Sequence, residues 1–92
     1  MDFLNLFSKS LQDKGERDCF DKYLSPHVPM IYKSAIRMCG NPNNAQDLVQ
    51  ETLYSALKNF HQIHDPEKSK YWMFSILRNL FLKDIEKTKK RA

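Results

Sequence analysis

An acidic and amide-bearing cluster is the part of this sequence best suited to a specific chemistry. Asp47, Gln50 and Glu51 recur at spacings of three and four residues, which place them on one side of a helix. Side chains of this kind form charge-assisted hydrogen bonds with basic groups of a partner protein. The alternative is that Asp47 only stabilises the N-terminal end of the helix, where negative charge is favoured.

A second candidate region lies in the last third of the chain and combines amide, hydroxyl and basic side chains. Asn79 can both donate to and accept from the edge of a nucleic-acid base. Ser75, Arg78 and Lys83 fall on or beside the same polar side of a predicted helix, where they suit contacts to phosphates. Taken alone, an asparagine such as Asn79 is more often a plain surface residue than a reader of bases.

The sequence contains no recognisable catalytic or metal-binding constellation. His61 and His64 have no cysteine or acid at ligand spacing, so we expect no metal site. No nucleophile has a neighbouring base, and no glycine-rich phosphate loop is present, which argues against an enzyme and against a bound cofactor. Cys19 and Cys39 fit no paired redox or metal spacing, and we expect reduced thiols.

Positive charge is concentrated in the second half of the chain. The net charge is +4, and residues 51–92 hold nine basic residues against five acidic ones, whereas residues 1–50 hold six of each. A basic helix on an otherwise neutral domain indicates a polyanionic partner such as nucleic acid. A solvated helix end is the simpler alternative, because basic residues also favour the negative end of the helix dipole.

Length and composition bound the fold and the location. Ninety-two residues with 41% hydrophobic content make one domain with a modest core, and only two glycines argue against a turn-rich all-β fold. No apolar run approaches the ~18 residues of a transmembrane helix, and the N-terminus lacks the features of a signal peptide. We therefore expect a cytoplasmic protein without membrane insertion.

Hydrophobic periodicity predicts an all-α fold, a compact bundle of three long helices plus a short N-terminal helix. The short helix is predicted over residues 3–13, with Gly15 as its left-handed C-cap. The first long helix is predicted over residues 16–38. It should be interrupted near Ser25, because two prolines fall inside its apolar pattern.

The other two long helices are predicted over residues 43–60 and from the start signal at residues 65–67 to about Lys87. Trp72 is expected in the core rather than as a platform for base stacking, because aromatic side chains bury large areas. The buried stripe of the middle helix comprises Ala45, Leu48, Val49, Thr52, Leu53, Ala56, Leu57 and Phe60.

Several motifs, in order, resemble the N-terminal region 2 domain of an extracytoplasmic-function (ECF) sigma factor of bacterial RNA polymerase. Residues 44–51 are close to the diagnostic family motif "dAeDlvQe", and residues 72–79 look like "WLfrIarN". Residues 15–20 are similar to the family's "GDxxAF" start, and residues 29–37 are similar to its "PxxYxxAxR" helix. The resemblance covers nearly the whole chain and implies the all-α fold of sigma region 2.

The resemblance implies two binding roles. Asp47, Gln50 and Glu51 would bind the coiled-coil clamp on the largest subunit of the RNA polymerase core. The fourth helix and the loop before it would melt the promoter minus-ten element and capture a flipped base of the non-template strand. An anti-sigma factor is a further expected partner. The DNA-binding residues carried over are Phe60, His61, Gln62, Ile63, His64, Ser75, Arg78, Asn79 and Lys83.

The chain also departs from the family pattern. Ser75 stands where the family often has an arginine. Lys83 stands where an acid is common, although Asp84 follows one residue later. The loop before the fourth helix lacks the glycine that is usual there. The family's second domain, a helix-turn-helix that reads the minus-thirty-five element, has no counterpart. We therefore expect a single region 2 domain over residues 1–92, either an excised domain or a truncated natural variant. The alternative function is a helical protein-interaction module that binds polymerase or an anti-sigma factor without reading DNA sequence.

Overall fold

A computed structural model of the chain describes residues 14–91, with side chains as far as Lys87. The described residues form helices and short helical turns, with no strand among them. The helices are α1 (Lys14–Cys19), α2 (Val28–Cys39), α3 (Pro42–Lys58) and α4 (Ser69–Arg91). Each of the three longer helices packs against the other two. The predicted all-α fold is confirmed, while the predicted helix over residues 3–13 lies outside the described residues.

The connection between α1 and α2 is a continuous helical run with an irregular centre. A π-helical turn (Phe20–Leu24) is followed by a 3₁₀ turn (Ser25–His27). Pro26 and Pro29 have no amide hydrogen to continue the α-helical ladder, so the hydrogen-bond pattern changes before them. The predicted interruption near Ser25 is confirmed.

Gly40 ends α2 in the left-handed conformation, with φ of 67°, and its amide donates to the carbonyl of Ile36 at 2.8 Å. It is the only residue with positive φ in the part of the chain that the structure describes. Gly15, in contrast, lies within the first turn of α1, so its predicted role as a left-handed C-cap is wrong. Glycine permits a helix end without requiring one, because an exposed helical glycine costs only about 1 kcal/mol relative to alanine.

Helix α3 begins one residue earlier than predicted and ends two residues earlier. The side chain of Asn41 caps it by accepting the backbone amides of Asn43 at 2.8 Å and Asn44 at 3.4 Å. Phe60 lies beyond the end of α3, in a separate 3₁₀ turn (Phe60–Gln62). This turn starts the loop that leads to α4.

The core lies where α2, α3 and α4 meet. Six residues of the predicted α3 stripe are buried, and Leu57 is half-buried. Thr52 adds a buried polar atom, whose hydroxyl donates to the carbonyl of Leu48 at 2.8 Å. The buried hydrophobic residues are Phe20, Leu24, Val28, Ile31, Ala35, Ala45, Leu48, Val49, Leu53, Ala56, Met73 and Leu77.

The start signal at Asp65 is used, but it opens a 3₁₀ turn (Pro66–Lys68) ahead of α4. The carboxylate of Asp65 accepts the backbone amide of Glu67 at 3.1 Å. Ser69, the first residue of α4, is buried and donates its hydroxyl to the carbonyl of Pro66. Helix α4 then runs to Arg91, beyond the predicted end near Lys87.

Candidate functional site

The acidic and amide-bearing cluster lies on the exposed side of α3. Asp47, Gln50 and Glu51 are all exposed, and the buried stripe lies on the opposite side of the helix. Tyr54 continues this side by one turn and is 68% exposed, an unusual state for a large aromatic side chain. Tyr54 was not predicted as a site residue from the sequence, although it follows Gln50 by four positions. We call these four residues the α3 surface.

A groove of about 460 Å³ separates part of the α3 surface from the C-terminal half of α4. Asp47 and Glu51 border it on α3, and Asp84 borders it on α4. Its remaining lining residues are Met38, Cys39, Asn44, Leu48, Phe81 and Ile85. This groove could not be predicted from the sequence, because it depends on how the consecutive helices α3 and α4 pack against each other.

The loop before α4 and the first turns of α4 form a second, open depression of about 340 Å³. The structure brings together three of the predicted DNA-binding residues here, since Ile63, His64 and Ser75 all line it. The other four lining residues were not among the DNA-binding residues predicted from the sequence. They are Asp65, Lys68, Tyr71 and Trp72. We call the whole set the loop depression.

Tyr71 and Trp72 make the loop depression aromatic. Tyr71 is 69% exposed, and the ammonium group of Lys70 lies 5.6 Å from the centroid of its ring. Trp72 is half-buried and packs against the core, but it also lines the loop depression, so its predicted core position is confirmed only in part. Tyr71 precedes Ser75 by four positions, and this spacing is the signal that could have identified it from the sequence.

Phe60, His61 and Gln62 lie in the turn that supports the loop and do not line the loop depression. The ring of Phe60 is half-buried, with its centroid 5.5 Å from that of Tyr23 and 6.0 Å from that of Trp72. Aromatic pairs at these separations are stabilising. Phe60 therefore ties the loop to the core, whereas His61 and Gln62 are exposed.

The predicted phosphate contacts follow the exposed side of α4 away from the loop depression. Arg78, Asn79 and Lys83 are exposed and lie outside the depression. Asn79 is one helical turn beyond Ser75, and Lys83 is one turn beyond Asn79, so all three share one side of the helix. The hydroxyl of Ser75 donates to the carbonyl of Tyr71 at 3.2 Å. We call Ser75, Arg78, Asn79 and Lys83 the α4 face.

Both cysteines are free thiols. Burial, and secondly the carboxylate of Glu16, raise the pKa of Cys19, while burial and then Asp84 raise the pKa of Cys39. Both thiols therefore stay protonated at neutral pH.

Across the described residues, no group of three or more histidine, cysteine or acidic side chains is arranged to hold a metal ion. None of the described helices is long and apolar enough to cross a membrane.

Comparison with known proteins identifies the family. The family model for sigma-70 region 2 matches residues 24–91. The ECF RNA polymerase sigma factor EcfG of Rhodopseudomonas palustris is 43% identical over 65 residues, which cover 71% of this chain and 36% of that protein. SigW of Bacillus subtilis, also an ECF RNA polymerase sigma factor, is 32% identical over 76 residues, covering 83% of this chain and 41% of SigW.

The comparison with solved structures gave no match. The chain spans about two fifths or less of the length of these two curated relatives. The matched segment contains α2, α3, the loop and α4, and so includes both motifs that carry the resemblance. The chain therefore belongs to the sigma-70 region 2 family, in its extracytoplasmic-function branch.

Proposed function

We propose that this chain serves transcription initiation as a sigma-factor domain that binds the RNA polymerase core and the promoter minus-ten element. One observation carries the proposal. The acidic and amide-bearing α3 surface and the aromatic loop depression, continued by the α4 face, are separate exposed regions of one small bundle. A domain that holds polymerase and DNA at the same time needs two such surfaces.

Polymerase docking is assigned to the α3 surface. Asp47 and Glu51 supply exposed carboxylates, and Gln50 supplies an amide, so the surface can pair with basic side chains on the clamp of the largest subunit. Tyr54 adds an exposed aromatic ring, the residue type that is enriched at the centre of protein interfaces. Charge complementarity of this kind also steers association.

Capture of one base of the non-template strand is assigned to the loop depression. A base must leave the duplex stack before a protein can enclose it. Ile63 and the rings of Tyr71 and Trp72 offer apolar and stacking contacts, while Lys68 offers a cation for the adjoining phosphate. Asn79 would read a base edge from the next turn of α4, and His61 and Gln62 would contact the strand beside the loop.

The separated strand would continue along the α4 face. Arg78 and Lys83 are exposed cations on α4, and they lie further along the helix axis than the loop depression does. Cations that lie in a row along a nucleic-acid strand contribute sequence-independent affinity, and this affinity decreases as the salt concentration rises. An anti-sigma factor would act by covering the α3 surface, the loop depression or both.

The test is fluorescence-anisotropy binding of short labelled single-stranded oligonucleotides of varied sequence. We expect one sequence to be preferred and Asn79→Ala to weaken its binding about tenfold, the value of one amide–base contact. Asn43→Ala is the matched control, because Asn43 is an exposed amide in the first turn of α3. Equal binding of all sequences, with Asn79→Ala and Asn43→Ala indistinguishable, would favour the protein-interaction alternative.

Docking is tested separately, by biolayer interferometry with purified RNA polymerase core enzyme from Bacillus subtilis. We expect Asp47→Asn and Gln50→Ala each to weaken binding at least several-fold. Asp47→Asn removes the negative charge that strengthens a hydrogen bond to a basic group, and Gln50→Ala removes a hydrogen-bonding amide. Lys33→Ala, a change at an exposed residue of α2, should leave binding unchanged. Binding of all three variants at the wild-type level would refute the assignment of the α3 surface.

A further inference from the structure

The groove between α3 and α4 combines an apolar floor with acidic edges. Its floor includes Leu48 of α3 and Phe81 of α4, with Met38 at the end of α2. Asp47 and Glu51 stand on one edge and Asp84 stands on the other. Three carboxylates from two helices thus surround a surface that a hydrocarbon chain can cover.

The position of Asp84 within α4 explains why its carboxylate borders the groove. Asp84 follows Leu77 by seven residues, so the two residues lie on the same side of α4. That side is buried at Leu77. Asp84 lies beyond the core, where the same side of α4 is exposed to solvent. The effect of Asp84 on the pKa of Cys39, another lining residue, agrees with this placement.

The groove has room for one long side chain. Its volume is about 460 Å³, and its lining combines apolar residues with carboxylates. Arginine and lysine combine an apolar stem with a cationic head, and both can lay the stem on apolar surface.

We propose that the groove receives one basic side chain, an arginine or a lysine, from the polymerase segment that docks on the α3 surface. The stem would cover Leu48 and Phe81, and the head would be shared by Asp47, Glu51 and Asp84. Arginine fits better, because its planar guanidinium is weakly hydrated and can pair with more than one carboxylate. This inference rests on the proposed docking function and adds α4 to the docking interface.

The experiment is binding of the chain to purified Bacillus subtilis RNA polymerase core enzyme by biolayer interferometry, without DNA. We expect Asp84→Asn to weaken binding about tenfold, the lower end of the value of a hydrogen bond to a charged group. Glu86→Gln is the matched control, because it removes the same charge from an exposed residue of α4 about 160° away around the helix. Glu86→Gln should bind as the wild type does.

The outcomes separate the two proposals. If Asp47→Asn and Gln50→Ala weaken binding while Asp84→Asn matches Glu86→Gln, the groove inference is overturned and docking on α3 stands. If none of these variants changes binding, docking on α3 is itself refuted, and the groove inference fails with it.

A second measurement needs no variant. Cys39 lines the groove, so a side chain seated there should slow its reaction with a maleimide. We expect the modification of Cys39, followed by mass spectrometry of the chain, to slow several-fold when core enzyme is bound. An unchanged rate in the complex would overturn the inference.

Discussion

The salt dependence of single-stranded DNA binding gives the most direct quantitative test of the proposed strand path. Three cations lie along that path in the described structure: Lys68 lines the loop depression, and Arg78 and Lys83 are exposed on the α4 face. The perturbation is Arg78→Ala, which removes the middle cation of the three. Arg78 is exposed, so its truncation should leave the core intact.

The expected magnitude follows from counterion release. Each phosphate neutralised on a single strand contributes about −0.7 to the slope of log affinity against log salt. Three contacts therefore predict a slope of about −2, or an affinity loss of about 20-fold between 50 and 200 mM salt. Arg78→Ala should reduce the slope to about −1.4, and the loss over the same range to about sevenfold.

The assay is fluorescence anisotropy of one labelled oligonucleotide over a series of salt concentrations. Lys33→Ala is the matched control, because it removes an exposed cation from α2, outside the proposed strand path. Its slope should equal that of the wild type. The reasoning is refuted if Arg78→Ala and Lys33→Ala change the slope equally, since the affinity would then reflect net charge rather than a defined path.

Two further predictions concern the N-terminal cap of α3 and the effect of Asp84 on Cys39. Asn41→Ala removes the side-chain cap of α3 and should lower the free energy of unfolding by about 1 kcal/mol in urea titrations. Asn41→Asp should retain most of that stability, and equal losses for the two variants would contradict the capping role. Asp84→Asn should lower the raised pKa of Cys39 and speed its alkylation by iodoacetamide at pH 8. An unchanged rate would show that Asp84 does not act on the thiol.

The local features of the fold were predictable from the sequence. The apolar stripe of α3 was predicted almost residue by residue, because a 3.6-residue period directly reports which side of a helix is buried. The interruption before α2 was predictable because proline lacks the amide hydrogen that a helix needs. The exposure of Asp47, Gln50 and Glu51 follows from the same periodicity.

Some local predictions failed where several outcomes are close in energy. Gly15 was expected to end a helix, yet it lies inside α1, while Gly40 takes the left-handed conformation. Glycine is compatible with both states, so only the surrounding chain decides between them. The cap at Asn41 also placed the start of α3 one residue earlier than the apolar pattern indicated.

The sequence by itself determined the helical class, the sides of the helices that are buried, and the family motifs in α3 and α4. Only the tertiary structure decided which residues share a site. Packing of the loop on α4 joins Ile63 and His64 to Tyr71 in one depression. Packing of α3 on α4 sets Asp84 across a groove from Glu51. Periodicity fixes the direction of a side chain around its own helix, whereas distances between helices depend on how their buried sides fit together.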